Sequence, residues 1–290
     1  LMMAMMIIMI PRASVSAVRI ADVLESDPQI KNRPDALLFS SSEGVLRFDH
    51  VSFRYPGAEE DVLHDIDFTA KPGETTAFIG STGSGKSTIA NLVPRFYDVT
   101  EGSTTIDGTD IRDMELHSLR SQLGYVPQKA VLFSGTIDSN LRYADKNATD
   151  EEILSGAQIA QAMEFIDSRP EGFETPIAQG GSNVSGGQKQ RLSIARALVK
   201  KPQIYIFDDS FSALDFKTDS ALRAALRKET GGSTVLLIAQ RISTIMDAEQ
   251  IIVLEAGKIA GKGTHEQLMK SCEVYREIAL SQLSKEELNE

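Results

Sequence analysis

A glycine-rich segment limits the fold of this chain more than any other feature of its sequence. Residues 80–87 read GSTGSGKS, with the spacing G-x-x-x-x-G-K-S, and lie between an apolar run, TAFI, and a helix-forming run, IANLV. A strand, a glycine turn and a helix in this order build a cradle, because backbone N–H groups and the helix N-terminus together surround phosphate oxygens. A glycine turn beside a chance lysine is the alternative, and it does not account for this order. We therefore predict an α/β fold with a phosphate-binding loop.

The polar groups of the cradle have separate predicted roles. We expect Lys86 to contact the outer phosphates of a nucleotide and the Ser87 hydroxyl to bind Mg²⁺. Asp208 directly follows an apolar run, residues 203–207, and is the second predicted metal ligand. Taken alone, this aspartate could equally cap a helix. The other predicted contacts of the phosphates are Gly80, Ser81, Thr82, Gly83, Ser84, Gly85 and Thr88.

Short apolar runs alternate with helical stretches along much of the chain. The runs predicted as buried strands are residues 76–80, 123–127, 203–207, 234–239 and 251–255. Strands that alternate with helices indicate a mainly parallel sheet. Residues 150–200 contain no convincing strand, so we expect them to form a helical insertion.

Two other segments, residues 46–55 and 65–70, alternate between apolar and polar residues and are predicted as half-buried strands. The alternation shifts by one residue after Phe48, which indicates a β-bulge. Near the end of the chain, Thr264 and Gln267 have the spacing of a capping box, so we predict a final helix there.

The N-terminal segment LMMAMMIIMI is uniformly apolar and precedes Pro11 and Arg12. It is too short to span a bilayer, which needs about 20 residues. A signal peptide is the alternative, although no basic segment precedes the apolar run. Arg12 and Arg19 would mark the cytoplasmic side of a membrane. We therefore interpret residues 1–26 as the end of a last transmembrane helix, whose beginning precedes Leu1, and its helical cytoplasmic extension.

The remaining domain boundaries follow from composition. Residues 27–42 contain two prolines, then serines, and are predicted as a linker. Residues 43–280 form the predicted nucleotide-binding domain, and residues 281–290 form a C-terminal tail.

Charge and cysteine content exclude several classes of function. A net charge of −11 argues against a general affinity for nucleic acid. The single cysteine, Cys272, excludes an internal disulfide and fits a reducing compartment. The four histidines have no metal-ligand spacing and are expected to be surface or capping residues: His50, His64, His117 and His265.

The segment NVSGGQKQRLSIARAL (183–198) resembles the signature of ABC-type ATPases, and residues from about 43 to 280 follow the motif order of that family. The resemblance implies a P-loop NTPase fold with a mainly parallel core sheet, an antiparallel β subdomain and a helical subdomain at about 135–200. LFSGTIDSNL (132–141) resembles the exporter branch of the family. The implied function is that of a subunit that binds ATP with Mg²⁺ and hydrolyses it to drive export, with its ATPase domain on the cytoplasmic side of the cell membrane.

The resemblance also implies roles for single residues. Tyr55 corresponds to an aromatic residue that stacks on adenine, although a core position in a strand would equally explain it. Gln128 corresponds to a glutamine that senses the γ-phosphate and the metal, and Asp215 lies in a loop that faces a partner domain. The signature residues, which would contact the partner's ATP, are Ser185, Gly186, Gly187 and Gln188, preceded by Val184 where leucine is usual.

Two positions depart from the family pattern. Asp209 occupies the position of the glutamate that acts as general base, and Gln240 occupies the position of a histidine. Aspartate is one methylene shorter than glutamate, and a displacement of about 1 Å can cost on the order of 10²-fold in rate. Glutamine can donate a hydrogen bond, but it cannot change protonation as histidine does. We therefore expect ATP binding to survive and hydrolysis at this site to be slow.

In this family two ATPase domains pair head to tail, so the signature of one domain completes the site of the other. Because Ser185 and Gly187 are intact, the resemblance implies the degenerate half of a heterodimeric exporter, joined to its own upstream transmembrane domain. Two alternatives remain open at this stage. One is a nucleotide-binding regulatory module without hydrolysis, and the other is a soluble ABC-type ATPase acting on DNA or ribosomes.

Overall fold

The computed structural model describes residues 2–39 and 43–282. It divides into two compact units, Leu1–Lys31 and Asn32–Glu290. The second unit therefore includes residues 32–39 of the predicted linker, where Arg33 pairs with Asp113 and Leu37 forms an isolated bridge with Met114. Most of the predicted C-terminal tail, residues 283–290, lies outside the described residues.

The first unit consists mainly of one helix, α1 (Met2–Leu24), which continues through Pro11 without a break. The helix predicted to continue from the apolar segment is therefore present. Within the described residues, no helix combines the length and hydropathy needed to cross a membrane.

The second unit contains the remaining elements. Its strands are β1 (Leu46–Phe53), β2 (Leu63–Ala70), β3 (Thr75–Gly80), β4 (Glu101–Ile106), β5 (Thr109–Asp110), β6 (Leu123–Val126), β7 (Gly135–Thr136), β8 (Pro176–Ile177), β9 (Ile204–Asp208), β10 (Thr234–Ile238), β11 (Gln250–Glu255) and β12 (Lys258–Gly263). Its α-helices are α2 (Lys86–Leu92), α3 (Leu116–Ser121), α4 (Ile137–Leu141), α5 (Asp150–Ile159), α6 (Met163–Asp167), α7 (Gly186–Val199), α8 (Phe216–Glu229), α9 (Ile242–Ile245), α10 (His265–Ser271) and α11 (Glu273–Gln282). Two short 3₁₀ helices are Gly172–Glu174 and Gln179–Gly181.

The central sheet has the strand order β12-β11-β3-β10-β9-β6. Its inner pairings are parallel, and β12 alone adds to the edge in the antiparallel sense. The five strands predicted from apolar runs are all in this sheet, so the predicted mainly parallel core is confirmed. The arrangement is an α/β fold, as predicted.

A second, antiparallel sheet has the order β2-β1-β4-β5. The register between β1 and β2 shifts after the pair Phe48 and Phe68 and resumes at Val51 and Ile66, which confirms the predicted bulge. The sequence did not predict β4, β5 or β12.

The predicted helical insertion holds α5, α6 and α7, but the expectation that residues 150–200 contain no strand was wrong. Pro176 and Ile177 form β8, which pairs with β7. A strand of two residues is too short to show an alternation of apolar and polar residues in the sequence. The predicted capping box at the start of α10 is present, because Thr264 and Gln267 each bond the other's backbone.

Three aromatic rings join the two sheets. Phe48 of β1 stacks on Phe68 of β2 with ring centroids 4.7 Å apart. Phe68 in turn meets the edge of Phe78 in β3, at 5.2 Å. All three side chains are buried, so the antiparallel sheet is held against the strand that leads into the glycine-rich loop.

We expect Phe68→Ala to lower the free energy of unfolding by about 3–5 kcal/mol, because it leaves a cavity between the two sheets. The matched control is Phe216→Ala, since Phe216 is 72% exposed and should change stability by less than about 0.5 kcal/mol. Urea unfolding of each variant measures the difference, and equal stability of the two would contradict this account of the core.

Candidate functional site

The glycine-rich loop lies between β3 and α2, as predicted. Gly80 ends β3 with φ of 156°, and a Cβ atom there would lie 2.1 Å from the Leu254 carbonyl oxygen, so a larger residue cannot fit. Gly85, at φ 99°, is the N-cap of α2 and provides no side-chain cap. The first N–H groups of a helix have no partners within the helix, so the start of α2 can bind an anion.

The ammonium group of Lys86 is held over the loop. Its Nζ donates to the carbonyl oxygen of Gly80 at 2.8 Å and to that of Ser81 at 2.7 Å. Burial lowers the pKa of Lys86, while Asp209 and Asp208 oppose this shift. The cation is therefore poorly hydrated and placed where it can contact phosphate oxygens.

Ser87 and Asp208 meet beside this lysine. The Ser87 hydroxyl donates to Oδ1 of Asp208 at 2.9 Å, joining the start of α2 to the end of β9. Burial raises the pKa of Asp208, and the hydrogen bond from Ser87 opposes the rise. A hydroxyl and a carboxylate are oxygen ligands of the kind that Mg²⁺ prefers, so this pair fits the metal that the sequence predicts.

Asp209 accepts two amide hydrogen bonds on one oxygen. Nε2 of Gln128 donates to its Oδ2 at 2.9 Å, and Nε2 of Gln240 donates to the same atom at 2.6 Å. Burial raises the pKa of Asp209, while the hydrogen bonds from Gln128, Ser212 and Gln240 oppose the rise. The backbone of Asp209 has φ of 46°, a conformation that is uncommon for residues other than glycine.

These predicted residues line a single cleft of about 660 Å³ at the carboxyl ends of the parallel strands. The cradle, Asp208, Asp209, Gln128 and Gln240 are thus brought together. Sequence analysis missed one wall, which belongs to α11: Val274, Glu277, Ile278, Ser281 and Gln282. The sequence predicts one final helix from the capping box at Thr264, which is α10, and no motif indicated a second helix that faces the cleft.

Tyr55 lies beside the cradle without lining the cleft. Its hydroxyl is 3.1 Å from the Thr88 hydroxyl. Its ring makes edge contacts with Phe53 and Tyr97, at centroid distances of 4.8 and 5.1 Å. Tyr55 therefore contacts both the cradle and the core, and its stacking on adenine stays a prediction.

The signature residues are separate from this cleft. Ser185 is the N-cap of α7 and accepts from the Gln188 backbone, while the Gln188 side chain accepts from the Ser185 N–H. Ser185 and Gly186 are exposed. Asp215 is the exposed N-cap of α8, and its hydrogen bonds from Thr218 lower its pKa. Two helix N-termini thus lie outside the chain's own site.

Comparison with known proteins places these features in a family. A profile described as ABC transporter matches residues 63–212. An uncharacterised ABC transporter ATP-binding protein of Mycobacterium tuberculosis is 48% identical over 287 residues, which are 97% of this chain and 49% of the relative. A putative multidrug export ATP-binding/permease protein of Bacillus subtilis is 43% identical over 260 residues, covering 90% of this chain and 45% of the relative.

A solved structure that matches this chain belongs to the same family. The ATP-bound structure of a bacterial Atm1-family ABC exporter matches with a TM-score of 0.89 and 36% identity, over 95% of this chain and 48% of that chain. The chain therefore spans about half the length of the curated relatives it matches.

The position of Lys86 generates the first prediction from the site. We expect Lys86→Ala to weaken binding of ATP with Mg²⁺ by about 10- to 100-fold, the equivalent of a charge-assisted hydrogen bond. Calorimetry measures the affinity, and Lys146→Ala is the control, because Lys146 is an exposed lysine outside the cleft. Equal affinity of the Lys86 variant and the wild type would refute the assignment.

Tyr55 generates a second prediction. We expect Tyr55→Ala to cost about 1–3 kcal/mol of ATP binding if the ring stacks on the base, whereas Tyr55→Phe should be mild. The measurements are ATP affinity and thermal stability of both variants. Should Tyr55→Ala lower stability and leave affinity unchanged, the ring serves the core alone.

Proposed function

The chain belongs to the ABC transporter family, and on that premise we propose that it is the ATP-binding and ATP-hydrolysing part of a membrane exporter. The observation that carries this proposal is the convergence of Lys86, the Ser87–Asp208 pair and Asp209 in one cleft. The exporter relatives, of which one is named as a permease as well, support the transport role. The apolar segment before Pro11 supports attachment to a membrane, with this domain on its cytoplasmic side.

ATP would enter the cleft with its phosphates on the cradle. The N–H groups around Gly83 and Gly85 and the start of α2 would surround the β-phosphate, and Lys86 would exchange its carbonyl partners for phosphate oxygens. Ser87 and Asp208, assisted by the amide oxygen of Gln128, would hold Mg²⁺. The metal neutralises charge on the phosphates when it is bound.

Asp209 is the base that this chain offers for hydrolysis. Its carboxylate is shorter than a glutamate, and both Gln128 and Gln240 donate to the same oxygen. Hydrogen bonds to the charged form oppose the rise in pKa that burial causes, so they make Asp209 a weaker base than burial alone would. We propose that these two properties together make the site slow, although it binds ATP.

The exposed signature supports a partner. Ser185 and Gly187 lie at the N-terminal end of α7, where unpaired N–H groups and the helix dipole favour an anion. In the proposed assembly they contact the ATP held by a second subunit, which supplies the faster site. The complete transporter would then be a heterodimer in which each subunit carries its own transmembrane domain.

A regulatory module that binds ATP without hydrolysing it is the second candidate. The observation that favours it is the same pair of departures, Asp209 and Gln240. Turnover of this protein purified without a partner subunit separates the two candidates, because the regulatory module would show none.

The proposal predicts an asymmetric response to mutation in the complex of the full-length protein with its partner. Ser185→Ala should lower steady-state ATP turnover on the order of 10²-fold, since it removes a hydrogen-bond donor from the faster site. Asp209→Asn should lower turnover only slightly, because the site it belongs to is already slow.

The control for Ser185 is Thr149→Ala. Thr149 makes the same kind of capping box at the start of α5, so its loss tests whether a missing helix cap alone reduces turnover. If Asp209→Asn stops turnover while Ser185→Ala remains active, this chain's own site is the faster one and the degenerate-site proposal fails.

A further inference from the structure

The last helix, α11, packs against the domain and also reaches the nucleotide cleft. Tyr275 and Ala279 on one face of the helix are fully buried. Val274, Ile278 and Gln282 are on the face that lines the cleft. The helix is therefore anchored, and a side chain at its end can hold another element in place.

Gln282 makes two hydrogen bonds to the turn that follows β10. Its Oε1 accepts from the backbone N–H of Ile242 at 2.8 Å. Its Nε2 donates to the backbone carbonyl of Gln240 at 2.9 Å. A carboxamide carries an acceptor and a donor side by side, so one side chain can bond both ends of this turn.

The turn requires such a partner. Ile242 is the first residue of α9, and the N-cap residue Arg241 makes no side-chain capping bond. The first N–H groups of a helix have no acceptor within the helix. Gln282 supplies one to Ile242 from a distant part of the chain.

The same turn carries Gln240 into the site. The side chain of Gln240 donates to Asp209 at 2.6 Å, while its backbone carbonyl accepts from Gln282. A continuous set of hydrogen bonds thus runs from α11 through the turn to the residue that we propose as the base.

We propose that Gln282 is a positioning residue, which fixes the 240–242 turn so that the amide of Gln240 is held against Asp209. This inference rests on the proposed function, because it takes ATP as the ligand of the cleft. Gln282 itself does not contact the reacting atoms. It acts by restricting the backbone from which Gln240 extends, and misplacement of a polar group by about 1 Å can reduce the rate on the order of 10²-fold.

The test uses the full-length protein without a partner subunit, so that every site contains this chain's Gln240. The variants are Gln282→Ala and Gln282→Met, the second of which keeps the length of the side chain and loses both hydrogen bonds. We expect each to lower kcat by about three- to tenfold, the rate equivalent of one hydrogen bond. The KM for ATP should stay nearly constant, because the cradle is untouched. Leu280→Ala is the control, since Leu280 lies on the same helix, is 56% exposed and does not line the cleft.

A second readout is amide hydrogen exchange at Ile242 in the nucleotide-free protein. Both Gln282 variants should accelerate this exchange, and Leu280→Ala should not. Unchanged exchange would show that the contact is not made in solution, and faster exchange with unchanged kcat would show that the contact has no catalytic role. Either result overturns the proposal. If the proposed function itself were wrong, the wild-type protein would not bind ATP, and this result is distinct from the two above.

Discussion

The register of β10 between β3 and β9 is the constraint on which the site depends. Ile238 is level with Phe78 on one side and with Asp208 on the other. Because the three strands are parallel, their carboxyl ends meet at one edge of the sheet. The glycine-rich loop, the two aspartates and Gln240 lie at or directly after these ends, so strand pairing alone brings residues far apart in sequence into one region. A slip of one residue would reverse every side chain of β10 and separate these groups.

Successive side chains along these strands point to opposite faces of the sheet, and their packing on both faces fixes this register. In β3, Phe78 faces the layer that contains β1 and β2, while Ala77 and Ile79 face the helices on the other side. A parallel sheet covered on both faces needs apolar side chains in both directions. The apolar runs that reveal the strands in the sequence are therefore the same residues that make their pairing unique.

The buried lysine of the cleft partly balances the charges of its two buried aspartates. Lys86, Asp208 and Asp209 are all buried, and burial shifts the pKa of each toward its neutral form. Lys86 and the two aspartates stabilise each other's charged forms, and the hydrogen bonds from Ser87, Gln128 and Gln240 stabilise the carboxylates, whereas the charge of Asp209 adds to the rise in the pKa of Asp208. Removing one partner would leave another buried charge uncompensated, which is costly in free energy. The site is thus preorganised for a ligand that brings both negative phosphates and a cation.

The sequence predicted the parts of the fold that have long or chemically distinctive patterns. The β-bulge after Phe48 was visible because the apolar alternation changes phase, and the cradle was visible because only glycine fits at Gly80. By contrast, β4 and β12 are edge or near-edge strands of mixed polarity, and β8 has two residues, so none carries a periodic signal. The role of α11 depends on the hydrogen bonds that Gln282 makes to the 240–242 turn once Tyr275 and Ala279 are packed in the core. No residue spacing in the sequence reveals these hydrogen bonds.

Under the proposed function, the departures at Asp209 and Gln240 would slow hydrolysis without weakening the groups that bind the phosphates. The cradle, Ser87 and Asp208 do not require a strong base to hold ATP. A ligand that binds between two subunits stabilises their association for as long as it remains bound. In the proposed heterodimer, a slow site would therefore keep the two ATPase domains together while the other site turns over. Asp209, which is shorter than glutamate, is then consistent with the intact Ser185 and Gly187. This chain would retain ATP at its own site, and its signature would complete the site at which its partner hydrolyses ATP.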